Sequence, residues 1–437
     1  MKRQINKELQ KWKKTDKRKI LLIRGARQIG KTYSIRKLGK EFDFFLEVNF
    51  EEEPDISSVF EKSLNPIGIC EKLSIYYNID IIPGKTLLFF DEIQSCLNAI
   101  RSLRFFHEKM PELHVVAAGS LIEFALSQIP SFGVGRIKSL FMYPMSFIEF
   151  LSASGEDRVV NLISSSSGPL DSVLHDKILE KLKIFQIIGG MPEVVNNYID
   201  KKNLKRCQEL IDVLITSLND DFAKYNKKAP VILLKEVFHS IAMQAGMKFK
   251  YSNIESGENH KKCKLALDLL VQAGLAYKIF HTSARGVPLG AQINIKKFKV
   301  LMFDSGVYQR LQGLSLSDHI IADFQSIINK GNLAEIVAGL EIIRSWPSYS
   351  TPELYYWHRE SRSSNAEIDY VISKNNTIIP IEVKAGTRGQ MQSLHIFMKE
   401  RNIKRGLRVS HENFADYEKI STLPLYAAGF IYNQFSI

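Results

Sequence analysis

Eight residues near the start of the chain, Gly25-Ala26-Arg27-Gln28-Ile29-Gly30-Lys31-Thr32, follow the pattern G-x-x-x-x-G-K-[ST]. They lie between an apolar run, Ile20–Arg24 (ILLIR), and a helix-compatible stretch that begins at Thr32. A strand that runs through a glycine-containing turn into a helix aims backbone N–H groups and the positive helix end at one point, where a phosphate chain is held. There Lys31 is expected to reach the β- and γ-phosphates and the Thr32 hydroxyl to ligate Mg²⁺, so the ligand expected is ATP with Mg²⁺. The pattern commits the first part of the chain to an α/β architecture.

Two further runs support this. Thr86–Phe90 (TLLFF) ends in Asp91-Glu92, and His114–Ala118 (HVVAA) ends in Gly119-Ser120. Each run is apolar throughout rather than alternating, as suits a parallel strand buried on both faces. Asp91 is expected to hold Mg²⁺, Glu92 to orient and activate the attacking water, and Ser120 to sense the γ-phosphate. Arg136, in the loop SFGVGRIKS, is a candidate for the arginine that meets developing charge, in its own chain or on a neighbour's site.

The rest of the chain needs more than one core. It has 437 residues, 45% apolar and 24% charged, which fits two to four globular domains and excludes wholesale disorder or collagen. Its four cysteines are far apart and form no C-x-x-C pair, which argues against zinc and disulfide frameworks and for a reducing, cytoplasmic setting. No apolar run approaches the ~18 residues that span a bilayer. The opening MKRQINKELQKWKK has no apolar stretch behind it, unlike a signal peptide, so no membrane partner is expected.

The net charge of +12 is unevenly spread. Residues 1–19 carry nine Lys/Arg against two acids, and residues 201–310 carry 19 against 9. Residues 20–200 carry 18 against 23, and residues 311–437 are balanced at 13 each. Such patches attract polyanions, and DNA is the expected partner. After the loop Ser164–Pro169 the pattern turns helical, and from 226 to 310 helix patterns precede short β-like runs. A small helical bundle with a β-ribbon wing would fit, with Lys248, Lys250, Lys261, Lys262, Lys264, Lys296, Lys297 and Lys299 as candidate phosphate contacts.

Near the C-terminus a helix candidate, Asn332–Ser345, precedes strand-like runs at Leu354–His358, Ile368–Ile372 and Ile378–Val383. Glu382 and Lys384 point to one face of their strand, and Asp369 on a neighbouring strand could meet them. With Glu335 on the helix, the set suits Mg²⁺-dependent phosphodiester hydrolysis: acids on the metal, lysine on the water.

At this point the chain resembles a prokaryotic ATPase family that joins an N-terminal AAA-type P-loop domain to a C-terminal domain looking like a restriction-endonuclease core. The resemblance rests on GARQIGKT, LLFFDEIQ, VVAAGSLIEF, GRIKSLFMYPMSFIEFL, GGMPEVV, FDSGVYQRL and NAEIDYVIS…IIPIEVKAG, and covers nearly the whole chain. It implies an α/β fold: a P-loop NTPase (AAA-type) parallel sheet core at 1–150 with 1–19 as a basic arm, a helical lid at 151–225, a winged-helix-like module at 226–310 and an α/β restriction-endonuclease-like domain at 311–437. It places Gly25, Gly30, Lys31 and Thr32 on the nucleotide loop, Asp91 and Glu92 on the acidic strand end, Ser120 on the sensor position, and Glu335, Asp369, Glu382 and Lys384 on the nuclease-like positions. The function expected is an Mg²⁺-dependent ATPase that repositions a nucleic-acid-binding module and a nuclease-like domain, with a homo-oligomer in keeping with AAA-type relatives. The alternative is an ATP-dependent regulatory switch whose C-terminal domain is catalytically silent and recruits a protein. A small-molecule P-loop kinase would leave the basic centre and some two hundred residues without a role.

Overall fold

The computed structural model describes residues 1–126, 128, 129, 133, 135–225, 228–316, 330–359, 366–386 and 391–434. The chain forms two compact units, Met1–Tyr143 with Pro347–Thr351, and Pro144–Trp346 with Pro352–Ile437.

In the first unit the apolar runs become a five-stranded parallel sheet. Its strands are β1 (Ile20–Arg24), β2 (Phe44–Asn49), β3 (Thr86–Asp91), β4 (His114–Ala118) and β5 (Ile137–Phe141), in the order β2-β3-β4-β1-β5. Leu87, Leu88, Phe89 and Phe90 are fully buried, and removing each such side chain from water contributes about 1.5–3 kcal/mol. Helices α1 (Ile5–Lys13), α2 (Lys31–Gly39), α3 (Pro66–Tyr77), α4 (Leu97–Lys109) and α5 (Ile122–Leu126) accompany the sheet. Phe90, Phe106 and Leu103 pack in one core with Phe50 and Phe60. Because all five strands run parallel, the turns after β1, β3 and β4 open at the same edge, and β1's place between β4 and β5 rather than beside β2 makes the kind of crevice where doubly wound sheets bind ligands.

The segment expected as a basic arm of the first domain forms helix α1. Ile5, Leu9 and Trp12 of α1 are buried, Trp12 Nε1 donates to the Lys19 carbonyl at 2.7 Å, and Lys13 pairs with Glu41. An amphipathic stripe at i, i+4 and i+7 docks the helix, so several of its charges serve internal contacts rather than a polyanion.

The second unit begins with helices α6 (Phe147–Ala153), α7 (Asp157–Ser165), α8 (Ser172–Ile188), α9 (Pro192–Lys201), α10 (Leu204–Asp221), α11 (Val231–Met243) and α12 (His260–Gln272). It continues with β6 (Ala276–Thr282), β7 (Ile293–Met302), α13 (Ser305–Leu311) and α14 (Lys330–Ser345), then β8 (Tyr355–His358), β9 (Glu367–Lys374) and β10 (Thr377–Val383). Helix α15 (Gln392–Arg401) and strands β11 (Gly406–Ser410), β12 (Ala415–Tyr417) and β13 (Ile420–Pro424) follow. The strands form one mixed sheet of eight in the order β12-β13-β11-β10-β9-β8-β6-β7.

This topology departs from the expected partition. The β6–β7 hairpin, read as the wing of a separate module, pairs through β6 in parallel with β8, Phe280 opposite Tyr355 and His281 opposite Tyr356. A hairpin with one free edge and an apolar face gains most by joining a larger sheet, so the sheet runs across the boundary drawn at 310. The loop Ser164–Pro169 likewise lies inside the second unit.

Several motifs quoted above meet in one buried junction. Asp304 of FDSG is fully buried and accepts from the Gly306, Val307 and Gly190 N–H groups. Its Oδ2 lies 3.7 Å from the Arg344 guanidinium, which also holds Glu341 at 3.2 Å, and Glu341 accepts from the Phe147 N–H at 3.0 Å. Gly190 must be glycine here, since a Cβ would stand 2.1 Å from the Met145 carbonyl oxygen. These motifs therefore hold the core of the second unit together.

Candidate functional site

The site is built at the edge where β1, β3 and β4 end. Gly25 has φ of 142° and a Cβ there would lie 2.2 Å from the Met142 carbonyl oxygen, while Gly30 has φ of 89°. Both glycines are dictated by backbone geometry, and they let the loop curl before α2. No side chain caps the start of α2, and no acid lies in its first turn. The helix end stays open to an anion. The buried Arg3 braces the loop from behind, donating to the Ile29 carbonyl at 2.5 Å and to the Tyr143 carbonyl at 2.6 Å.

Lys31 is 6% exposed, and its ammonium donates to the Gly25 carbonyl at 3.0 Å and the Ala26 carbonyl at 2.7 Å. Burial pulls its pKa down to about 8, against the pull of Glu92 and Asp91. The Thr32 hydroxyl donates to Asp91 Oδ2 at 2.8 Å. Burial pushes Asp91 up to about 6, although the Thr32 hydrogen bond opposes this. Thr32 and Asp91, expected as the cation's protein ligands, are thus side by side.

Glu92 stands in a left-handed backbone conformation, φ 45°, just past β3. Its Oε2 accepts from Gln94 Nε2 at 2.6 Å and from the Ser120 hydroxyl at 3.4 Å. Ser120 in turn accepts from Arg27 Nε at 3.2 Å, and Arg27 lies 3.5 Å from Glu51. The loop, the acidic strand end and the expected sensor are therefore one connected set. Gln28, with φ 60°, and the buried Ile29 complete the loop.

Arg136 is not in this set. It stands just before β5, its carbonyl accepting from the Ile20 N–H at the start of β1, and its side chain pairs with Glu108. Parallel pairing from Ile20–Ile137 to Arg24–Phe141 puts it at the opposite edge of the sheet, about 15 Å of strand from the loop. A role for Arg136 at its own chain's phosphate is thereby corrected. Residues 131, 132 and 134 of its loop lie outside the described residues.

Sequence reasoning missed Arg3 and Gln94. Gln94 had a signal, as the third residue after Asp91 in DEIQ. Arg3 had none, because only the folded loop creates the carbonyl it binds.

Residues 17–151 match the family model of an AAA domain. The first unit is thus similar to the core of an AAA-type P-loop ATPase. Residues 179–318 and 330–427 each match a domain of unknown function, DUF8612 and DUF4143. No curated protein matches the chain. Among solved structures, the Walker-type ATPase Paby2304 of Pyrococcus abyssi is 14% identical with a TM-score of 0.46, over 70% of this chain and 94% of that one. Unliganded Pif1 from Bacteroides sp. is 15% identical with a TM-score of 0.22, over 43% and 56% respectively. The AAA-type core supports ATP binding and hydrolysis by the first unit. No helix among the described residues is long and apolar enough to cross a membrane.

An AAA-type core implies Mg²⁺ with the nucleotide, and the donor set fits it: a hydroxyl and a carboxylate in contact, beside a buried ammonium and an open helix end. The Lys31 pKa then has a measurable consequence. A phosphate chain favours the charged ammonium, so binding raises its pKa, and above pH 8 each binding event must take up a proton. Affinity for ADP without metal is expected to fall by up to about tenfold per pH unit above pH 8. Calorimetry in buffers of different ionisation enthalpy reads this, and a flat affinity from pH 7 to 9.5 would contradict it.

The C-terminal set is arranged differently from expectation. Asp369 Oδ2 accepts from the Val383 N–H at 2.7 Å, and Lys384 donates to Glu382 Oε1 at 2.6 Å. Glu335 meets neither Glu382 nor Lys384 in a hydrogen bond but accepts from Lys299 Nζ at 2.7 Å. Lys299 also pairs with Glu367 at 2.6 Å and lies 4.0 Å from Asp369. Lys299 is 1% exposed and is withdrawn from the phosphate contacts proposed for it from sequence. Lys248, Lys250, Lys261, Lys262, Lys264 and Lys296 are exposed, and Lys297 is half-buried. Among the described residues no three His, Cys, Asp or Glu side chains are grouped to hold a metal ion. At the nuclease-like positions the ammonium groups of Lys299 and Lys384 stand against the carboxylates.

Proposed function

We propose that the chain is a Mg-ATP-hydrolysing switch whose nucleotide state governs a DNA-binding surface on its basic central segment. The observation that carries the reading is the contact set at the first sheet edge: Lys31 buried in its loop, Thr32 on Asp91, and Glu92 held beside Ser120. Bound Mg²⁺ would neutralise charge on the β- and γ-phosphates. Lys31 would exchange its two loop carbonyls for phosphate oxygens. Glu92, released from Gln94, would accept the proton of the attacking water. Ser120 and Arg27 link that carboxylate to the nucleotide loop, so a change at either is felt at the other. Arg136 would serve a phosphate only from a neighbouring copy in a homo-oligomer.

For the output, the excess of 19 basic over 9 acidic residues in 201–310 supports a polyanion as partner. Two readings of the C-terminal sheet remain from sequence, metal-dependent cleavage at Glu335, Asp369, Glu382 and Lys384, or a silent domain. The ion pairs of Lys299 with Glu335 and Glu367 favour the silent domain.

Phosphate release from ATP and Mg²⁺, with and without duplex DNA, tests the proposal. Turnover that DNA alters severalfold, with DNA affinity differing between ATP and ADP states, is the expected result. No turnover above the metal-free background would overturn the whole reading. Turnover indifferent to DNA would overturn the partner alone.

A further inference from the structure

We propose that Lys299 is the resident cation of the C-terminal carboxylate cluster, its ammonium taking the place among Glu335, Glu367 and Asp369 that a divalent ion would need. This deepens the silent-domain reading and rests on it.

Lys299 interrupts an otherwise apolar run, Phe298–Phe303, in a strand whose neighbours Phe298, Val300, Leu301 and Met302 are buried. An ammonium in such a place is expensive unless carboxylates surround it. The fold brings them from two elements. Glu367 and Asp369 stand two apart on β9 and so share a face, and Glu335 comes from α14. The Tyr356 ring of β8 lies 5.5 Å from the same ammonium.

Each of the four carboxylates already gives one of its two oxygens to a protein donor, and Glu382 Oε2 is buried without a hydrogen-bond partner. One Asp369 oxygen is spent on the Val383 N–H, one Glu382 oxygen on Lys384, and one oxygen each of Glu335 and Glu367 on Lys299. Burial works against the Lys299 charge, but Glu335, Asp369 and Glu367 outweigh it and hold its pKa above that of an ordinary lysine.

The probe is Mn²⁺ alone, added to the nucleotide-free full-length chain and followed by the electron paramagnetic resonance of the free ion. Wild type and Asp369→Asn are expected to give superimposable isotherms, since any ion near Thr32 and Asp91 is common to both. Lys299→Met, close in length but uncharged, is expected to gain one bound Mn²⁺ that Lys299→Met/Asp369→Asn lacks. A wild-type site lost in Asp369→Asn would overturn the proposal. So would a folded Lys299→Met whose isotherm matches wild type. Should Lys299→Met not fold, the wild-type and Asp369→Asn pair decides alone. Cleavage assays on DNA test the silent-domain reading separately, so failure of one is not mistaken for failure of the other.

Discussion

Lys31→Ala is expected to abolish measurable ATP turnover and to weaken nucleotide binding by about a hundredfold or more. The size follows from what the residue does. It is the cation built into the loop, and truncation removes a charge-assisted contact to phosphate inside a site where solvent cannot substitute, at about 3 kcal/mol or more. The fold is expected to survive, because the two carbonyls that Lys31 now binds, Gly25 and Ala26, belong to a loop also braced by Arg3. Fluorescent-nucleotide titration and phosphate release read binding and turnover separately. Unchanged binding in a folded Lys31→Ala protein would remove the basis for placing ATP here.

Glu92→Gln behaves differently. It is expected to retain nucleotide binding but to lose turnover by about two to three orders of magnitude, the range of a positioned general base. Gln keeps the shape and can still meet Gln94 and Ser120, but it accepts no proton. The discriminating measurement is single-turnover hydrolysis beside equilibrium binding. Loss of both in parallel would make Glu92 a structural residue and not a base.

How far these assignments were legible in the sequence depends on how local their causes are. The loop from Gly25 to Thr32 and the acids at the end of β3 were readable, because the backbone geometry and the strand ends are set by neighbouring residues. The buried strands β1, β3 and β4 announced themselves as apolar runs without alternation. Arg136 was misplaced because its distance from the loop depends on the pairing of β5 with β1, which no local pattern states. The β6–β7 hairpin looked like a free wing because its partner strand, β8, lies some seventy residues downstream in another pattern. Lys299 was read as surface charge by composition, although its apolar neighbours on the strand were a warning that it needed buried partners. Glu367 was overlooked for the same reason: its role exists only opposite Lys299.

The last strand of the first sheet, β5, is an edge strand, and the Phe141 N–H on it donates to the carbonyl of Ser348 at 2.6 Å. An uncovered strand edge invites association with other chains. The first unit therefore includes a pentapeptide, Pro347–Thr351, synthesised some two hundred residues after the rest of it. A ribosome that has released only the first 143 residues has made an incomplete object, and a gene fusion that transplants those residues alone would carry off an adhesive border. Module shuffling, so easy for domains strung end to end, is here discouraged by the route the polypeptide takes.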